Sequence, residues 1–159
     1  MANYKQSFEE RMSVDIAEPK AVKFYKSKNI KIVRYGFNYQ DADDRIEKED
    51  FFKIPELMRC LPDYLIITNK AYLLEVKGCN DLLKIKINDM KSYDFWEKVV
   101  PIVFFIYSAS LKHCYRVKYN RLKEILLSMG VKGTYSNNNK QYYAIHPKEL
   151  ALVGEDCKW

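Results

Sequence analysis

The segment from Leu61 to Lys77 constrains what this chain can fold into more than any other part of it. Two apolar runs, residues 64–67 and 71–76, stand on either side of a polar break at residues 68–70. This pattern is typical of two antiparallel β-strands joined by a tight turn. The segment therefore predicts a β-hairpin, and the polar residues at its two outer ends are then brought together.

The length of the turn decides which side chains share a face of this hairpin. Directly opposed residues in an antiparallel pair have a constant index sum and lie on one face. With a three-residue turn at 68–70, Asp63 lies opposite Glu75, and alternation along the strand places Lys77 on the same face. A two-residue turn would place Asp63 on the other face. We expect the three-residue turn, with Asn69 in a left-handed conformation, because Asn tolerates that backbone geometry.

The three side chains form a set with a definite chemistry. Two carboxylates about 5 Å apart repel each other, and in a partly buried site a divalent cation relieves this repulsion. Hard oxygen ligands select Mg²⁺ or Mn²⁺, which keep several waters and bind substrate phosphate. The ammonium of Lys77 suits the orientation of a water or the stabilisation of charge on an attacked phosphate. The set indicates metal-assisted phosphodiester hydrolysis, and the alternative is an exposed hairpin with a surface Glu–Lys pair.

Pro62-Asp63 before one strand and Glu75-Val76-Lys77 in the next resemble the signature of the PD-(D/E)xK nuclease superfamily. The layout is similar to that of phage nucleases and archaeal Holliday-junction resolvases. The resemblance implies an α/β fold with a restriction-endonuclease-like core, in which helices flank a central mixed sheet in the order α-β-β-β-α-β. It also implies that Asp63, Glu75 and the main-chain carbonyl of Val76 bind a catalytic Mg²⁺ or Mn²⁺. Lys77 would then position the attacking water.

An acidic residue on the first helix usually completes the site in this superfamily, and the resemblance assigns that role to Glu18. Glu18 stands directly before Pro19, a residue type that is tolerated at the first position of a helix. We therefore expect a helix that begins at Pro19, with Glu18 at its N-terminus as a direct or water-mediated metal ligand. A capping role stabilised by the helix dipole is the alternative for Glu18. The competing acidic residues are Glu9, Glu10 and Asp15.

The helix predicted after the Glu-x-Lys motif departs from one branch of the superfamily. In the recombination-repair exonuclease branch a Gln stands three or four residues before a Tyr, whereas here Asp89 precedes Tyr93. Lys86 lies one turn earlier and can replace that Gln as a phosphate contact. Tyr93 and Trp96 share a helical face, which fits either the core or stacking on a substrate. The residues that we assign to nucleic-acid contacts are Lys86, Lys91, Tyr93 and Arg34.

The rest of the chain gives a coarse order of elements. Ser7 and Glu10 fit the capping box of a short N-terminal helix, and the acidic run at residues 41–50 predicts a mobile connection. The segment Asn120–Met129 has helical periodicity, with Asn120 as its cap and Gly130 as its end. The other predicted elements are a strand at 30–38, a helix at 51–60, a helix at 89–100, a buried parallel strand at 102–107, an edge strand at 141–145 and a helical turn at 147–152.

Length and charge agree with a nucleic-acid enzyme. The chain has 159 residues, of which 48% are hydrophobic, and this suits a single domain spanning residues 1–159. Its net charge of +6 favours a polyanionic partner, which we expect to be DNA. With no separate recognition domain, we expect structure-selective cutting of branched, flapped or single-stranded DNA. Symmetric cutting of a junction would require a homodimer.

Other functional classes receive weaker support. The four cysteines form no C-x-x-C spacing, so neither a zinc ribbon nor a redox motif is indicated. Neither His113 nor His146 precedes the Pro-Asp motif, which argues against the histidine-containing site of cap-snatching RNA endonucleases. We expect no signal peptide and no membrane contact, and therefore a protein of the bacterial or phage-infected cytoplasm. The alternatives are an RNA-cleaving endonuclease, an inactive nucleic-acid-binding module of the same fold, and a viral or host interaction protein.

Overall fold

The order of helices and strands places the hairpin in the middle of the molecule. The computed structural model describes residues 8–36 and 47–157, and for residues 8–15 and 48 it describes the backbone alone. In chain order the elements are α1 (Phe8–Ser27), β1 (Lys31–Arg34), α2 (Lys48–Phe51), α3 (Glu56–Arg59), β2 (Tyr64–Ile67), β3 (Ala71–Cys79), β4 (Leu83–Lys86), α4 (Ile87–Val99), β5 (Ile102–Ser108), β6 (His113–Lys118), α5 (Tyr119–Met129), β7 (Val131–Thr134), β8 (Gln141–Ile145), a 3₁₀ helix (Pro147–Leu152) and β9 (Glu155–Asp156). The predicted α-β-β-β-α-β order is present as α1, β1, β2, β3, α4 and β5. The elements α2, α3 and β4 are inserted between them.

The main sheet has six strands in the order β1-β2-β3-β5-β6-β9. Strand β2 is antiparallel to both of its neighbours, β1 and β3, whereas β3 and β5 run parallel. Strand β5 is buried along nearly all of its length, as its apolar sequence predicts for a strand covered on both faces. The predicted α/β class with a central mixed sheet between helices is therefore confirmed.

The register of the hairpin agrees with the prediction, although its turn closes in another way. Ile67 pairs with Ala71, which leaves a three-residue turn at 68–70. The non-glycine residues with positive φ in the described ranges are Asn29, Lys112 and Asn139, so the left-handed conformation predicted for Asn69 is wrong. Instead, the amide and the hydroxyl of Thr68 both donate to the Lys70 carbonyl, at 2.9 and 2.8 Å. The Thr68 side chain thus closes the turn, a role that we had expected from a left-handed conformation at Asn69.

Helix α1 is longer than the sequence suggested. It runs without interruption over 20 residues and contains Pro19 in its interior, so the helix does not begin at Pro19 and Glu18 is not at its N-terminus. Apolar residues on both sides of Pro19 are buried against the sheet, and this packing outweighs the one hydrogen bond that a proline removes. Those residues are Ala17, Ala21, Phe24 and Tyr25. The predicted cap at Ser7 lies outside the described residues.

The two faces of the main sheet carry separate cores. Helix α1 covers one face, where it packs against β3 and β5 side chains such as Leu74, Val76 and Phe105. Helices α4 and α5 cover the other face, which includes Leu73 and Phe104. Neighbouring residues of β3 therefore point into different cores, as alternation along a strand requires.

A second sheet of three strands, in the order β4-β8-β7, was not predicted. Its inner face contributes Leu83, Ile85 and Ile145 to the core around α4 and α5. Strand β8 lies in the centre of this sheet, so the prediction of an edge strand at residues 141–145 is wrong. The reason is that β4 and β7 are too short and too rich in lysine to be recognised, and they supply partners on both sides of β8.

Two helix boundaries also differ from the prediction. Residues 51–60 do not form one helix, because Pro55 cannot donate a backbone hydrogen bond and separates α2 from α3. Asn120 does not cap α5. It lies inside the helix, where its side-chain amide donates to Glu97 Oε1 at 3.0 Å, and the cap position belongs to Lys118. Of the acidic run, residues 41–46 lie outside the described part of the chain. No helix in the described ranges is both long and apolar enough to cross a membrane.

The packing of α5 gives a matched test of the core. Leu126 is fully buried, whereas the adjacent Leu127 is 55% exposed. We expect Leu126→Ala to lower the free energy of unfolding by about 2–5 kcal/mol, because it opens a cavity in the core. Leu127→Ala should change it by less than about 0.5 kcal/mol. Urea unfolding of both variants measures this difference, and equal losses would show that α5 presents another face to the core.

Candidate active site

The main chain around Asp63 holds this residue at the open end of the hairpin. Extending the β2–β3 register by one step places Asp63 opposite Glu75. Asp63 Oδ2 accepts a hydrogen bond from the Val76 amide at 2.8 Å. The Asp63 carbonyl accepts from the amides of Tyr35 and Gly36, at 2.9 and 3.1 Å. Gly36 is required here, because a Cβ atom would lie 2.8 Å from the Pro62 carbonyl oxygen.

Glu75 and Lys77 lie on one face of β3 and form an ion pair. Lys77 Nζ is 2.6 Å from Glu75 Oε1, and only 6% of Glu75 is exposed. The Tyr93 hydroxyl donates to the same Oε1 at 2.8 Å. Because Tyr93 packs against the rings of Phe104 and Tyr119, its hydroxyl is held in place. Helix α4 thereby fixes the Glu75 carboxylate from the side opposite the sheet.

With both of its carboxyl groups ionised, this group would carry excess negative charge. Burial and then the neighbouring Glu75 raise the pKa of Asp63 to about 8, against the opposing effects of Lys77 and the Val76 amide. Burial lowers the pKa of Lys77, but the negative groups around it, Glu75 first among them, raise that pKa well above its ordinary value. Lys77 is therefore protonated at neutral pH. One lysine does not offset the two carboxylates, and this is the situation that a divalent cation relieves.

The oxygen atoms available here fit a hard divalent cation. Asp63 and Glu75 contribute carboxylates, and the Val76 carbonyl points to the same side of β3 as its amide, toward Asp63. Within residues 8–36 and 47–157, no three side chains of His, Cys, Asp or Glu come together closely enough to hold a metal ion. Two carboxylates and one carbonyl are the kind of incomplete set that Mg²⁺ uses, because it keeps several waters.

Glu18 is placed beside this group and not within it. Its Oε2 lies 3.4 Å from Arg34 Nη1 and accepts a hydrogen bond from the Tyr64 hydroxyl at 3.2 Å. Its charge is nevertheless close enough to contribute to the raised pKa of Asp63. The side chains of Glu9, Glu10 and Asp15 lie outside the described part of the chain. Tyr64, which holds Glu18, was missed because its place in an apolar strand gives no signal of a polar contact.

Of the residues predicted to contact nucleic acid, one is buried and three are at least partly exposed. Tyr93 is 3% exposed and belongs to the core. Its helical face therefore fits packing in the core and not stacking on a substrate. Arg34 lies at the end of β1, over the Tyr64 ring at 5.0 Å. Lys91 is exposed on α4, and Lys86 directly precedes that helix. Asp89, which stands where one branch of the superfamily has Gln, acts electrostatically on Lys77.

Comparison with known proteins identifies the fold and leaves the family unassigned. No protein-family profile matches the chain, and no curated protein sequence matches it. Among solved structures, a nuclease from a fusselovirus has 9% sequence identity and a TM-score of 0.50, over 91% of this chain and 85% of the viral one. A Holliday junction resolvase from the hyperthermophilic archaeon Archaeoglobus fulgidus has 8% identity and a TM-score of 0.48, over 88% and 95% of the two chains.

This chain shares its fold with the fusselovirus nuclease, and the likeness covers most of both chains. The resemblance predicted from Pro62-Asp63 and Glu75-Val76-Lys77 is therefore confirmed for the fold. At 9% identity the likeness says nothing about individual side chains, and their roles rest on the geometry described above.

The raised pKa of Asp63 predicts an unusual pH dependence of stability. A carboxyl group whose pKa is raised by folding binds more protons in the folded state, so the wild type loses stability as pH rises from about 4 to about 8. In EDTA, we expect the stability of Asp63→Asn relative to wild type to increase over this range, by up to about 1.4 kcal/mol per pH unit. Urea unfolding at pH 5, 6, 7 and 8 measures this trend.

Asp81→Asn is the matched control, because Asp81 is an exposed carboxylate in the loop that follows β3. Its stability relative to wild type should be nearly constant across the same pH range. A difference between Asp63→Asn and wild type that is constant, or that shrinks as pH rises, would contradict the raised pKa.

Proposed function

We propose that this chain is a metal-dependent endonuclease that hydrolyses phosphodiester bonds of DNA. The observation that carries the proposal is the position of Asp63 opposite Glu75, with Lys77 paired to Glu75 at 2.6 Å. A surface Glu–Lys pair would not place a nearly buried carboxylate beside a second one whose pKa is raised to about 8. The fold shared with a viral nuclease supports the same conclusion.

Asp63, Glu75 and the Val76 carbonyl would hold Mg²⁺ or Mn²⁺. When bound, the ion would polarise a phosphate oxygen and lower the pKa of a coordinated water. Both carboxylates are positioned before any ligand arrives, Asp63 by the Val76 amide and Glu75 by the Tyr93 hydroxyl. Tyr93 is thus a positioning residue, which acts on the site through Glu75.

Lys77 would act as a charge and as a hydrogen-bond donor. Its raised pKa keeps the ammonium protonated at neutral pH, so Lys77 orients a water or stabilises negative charge and does not remove a proton. Glu18 would act on the site through its charge and through water, since Arg34 and Tyr64 hold its carboxylate beside Asp63.

DNA is the substrate that the charge of the chain favours. A net charge of +6 attracts a polyanion. We propose selection by DNA structure, as in branched, flapped or single-stranded substrates. A homodimer would be needed for symmetric cutting of a junction, and the site of action would be the cytoplasm of a bacterial or phage-infected cell.

Cleavage by an Asp63 variant tests the catalytic assignment. We expect Asp63→Ala to lower the rate of Mg²⁺- or Mn²⁺-dependent DNA cleavage by at least about 10³-fold, because the metal ion contributes several kcal/mol of transition-state stabilisation. Asp81→Ala, which removes an exposed carboxylate just after β3, should cleave at nearly the wild-type rate. The assay uses supercoiled, single-stranded and four-way DNA, together with single-stranded RNA.

Each outcome of this assay separates the proposal from an alternative. Equal rates of cleavage by wild type and Asp63→Ala would contradict the assignment of Asp63 to a metal site. Faster cleavage of RNA than of any DNA would identify an RNA endonuclease. Salt-sensitive DNA binding without cleavage by the wild type would identify a binding module, and the absence of both would favour an interaction protein.

Glu18 should contribute less than the two carboxylates of the hairpin. We expect Glu18→Gln to raise the Mg²⁺ concentration needed for half-maximal cleavage by roughly tenfold or less, which corresponds to about 1.4 kcal/mol. Glu75→Gln should abolish cleavage at all Mg²⁺ concentrations, and Glu10→Gln should behave as the wild type. Mg²⁺ titrations of the cleavage rate measure this order. If Glu18→Gln is as inactive as Glu75→Gln, Glu18 is a direct ligand.

A further inference from the structure

The solvent-facing side of the second sheet carries lysines and tyrosines at alternate positions. In the β4–β8 register, Lys86 pairs with Tyr142 and Lys84 pairs with Ala144. The residues between them, Leu83 and Ile85, point into the core, so Lys84, Lys86 and Tyr142 share the opposite side. Tyr135, which directly follows β7, joins them there. We refer to Lys84, Lys86, Tyr135 and Tyr142 as the outer face.

The side chains of the outer face lie beside one another. The ring centroids of Tyr135 and Tyr142 are 4.6 Å apart, with 59° between the ring planes. Lys84 Nζ lies 5.7 and 5.2 Å from these two centroids, and Lys86 Nζ lies 5.9 Å from that of Tyr135. All four residues are partly exposed. Two ammonium groups are thus held beside two aromatic rings at the surface.

The backbone around the outer face fixes the positions of both rings. Tyr142 pairs with Gly133 in β7, and a Cβ atom at Gly133 would lie 2.5 Å from the Tyr142 ring. The ring therefore lies over the strand where only glycine leaves room. Tyr135 is anchored by two backbone hydrogen bonds, from its amide to the Lys140 carbonyl at 2.9 Å and from the Asn139 amide to its own carbonyl at 3.0 Å. The Tyr142 ring and the Tyr135 backbone are thus fixed by the surrounding strands and turn.

The charge of the second sheet favours an anionic ligand. Strands β4, β7 and β8 contain three lysines and no Asp or Glu. Ammonium groups neutralise phosphates, and the faces of tyrosine rings accept bases by stacking, which is how proteins hold single-stranded nucleic acid. Bases in a duplex are already stacked on each other and do not offer their faces. The combination of lysines with aromatic rings therefore selects a single strand.

The outer face begins close to the active site. Lys86 is the residue that directly precedes α4, and Asp89, in the first turn of that helix, acts electrostatically on Lys77. Tyr93, whose hydroxyl bonds Glu75, lies seven residues after Lys86 in sequence, which is about 10 Å along the helix axis. A strand that left the active site along the start of α4 would therefore reach Lys86.

We propose that the outer face binds a single-stranded DNA segment adjacent to the scissile phosphate. Lys84 and Lys86 contact its phosphates, and Tyr135 and Tyr142 stack on its bases. The inference rests on the proposed DNA endonuclease activity and narrows its substrate to DNA that has a single-stranded flank, such as a flap or an open branch. Binding to the outer face requires no metal ion, and this allows binding to be measured without cleavage.

Fluorescence anisotropy of a labelled oligothymidylate with wild-type protein in EDTA tests the proposal over a range of salt concentrations. For Lys84→Ala/Lys86→Ala we expect the slope of log K against log salt to fall by about 1.4, because two phosphate contacts are lost. For Tyr142→Ala we expect affinity to fall about tenfold with an unchanged slope, since stacking is lost. Tyr142→Phe should bind as the wild type, because its ring remains.

Two further variants test whether a loss of binding is specific to the outer face. Lys70→Ala/Lys98→Ala removes the same charge from the hairpin turn and from the last turn of α4, and it should leave the slope nearly unchanged. Gly133→Ala keeps every charge and every ring of the outer face but displaces Tyr142, so it should weaken binding as Tyr142→Ala does. Urea unfolding of each variant confirms that it is folded before its affinity is compared.

Three results would overturn the inference: no binding of oligothymidylate by the wild type in EDTA, equal affinity and slope for Lys84→Ala/Lys86→Ala and wild type, or equal competition by a duplex of the same length. The proposed nuclease activity fails on separate grounds, namely equal DNA cleavage by wild type and Asp63→Ala in the presence of Mg²⁺. Loss of oligothymidylate binding in the outer-face variants would support the single-strand site whatever the outcome of that cleavage assay.

Discussion

The register of one β-hairpin is the constraint on which the candidate site depends. The pairing of Ile67 with Ala71 places Asp63 opposite Glu75 and on the face of Lys77. A slip of one residue would move Asp63 to the face covered by α1 and would separate the two carboxylates. Thr68 prevents this slip, since its amide and hydroxyl both bond the Lys70 carbonyl. A polar turn residue far from the site in space thus determines whether the site exists.

Bringing the two carboxylates together costs electrostatic free energy, and contacts with the surrounding structure offset this cost. Two carboxylates, one of them nearly buried, face a single ammonium group, and the pKa of Asp63 shows that this balance is incomplete. The Val76 amide and the Tyr93 hydroxyl hold the carboxylates in place, and apolar packing around Tyr93 keeps water from replacing these contacts. A site built in this way gains stability when a cation binds, which is a general property of preorganised functional sites.

The sequence predicted the structure correctly where a single local pattern determined it. Alternation, a polar break and the constant index sum determined the hairpin and the common face of Asp63, Glu75 and Lys77. Prediction failed where tertiary contacts outweighed local preference. Pro19 is inside α1 because residues on both sides of it are buried, which its own sequence context does not show. Strands β4 and β7 alternate lysine with apolar or small residues, and this pattern takes on meaning only when β8 lies between them.

Helix α4 connects the two parts of the molecule that we propose to contact nucleic acid. Its first turn follows Lys86 of the outer face, and its middle carries Tyr93, which holds Glu75. Because both residues are fixed to one helix, a strand held at Lys86 has a set position relative to the hairpin carboxylates. Under the proposed function, the rigid helix and the short sheet would select the structure of the substrate, because the sheet offers charge and ring faces together.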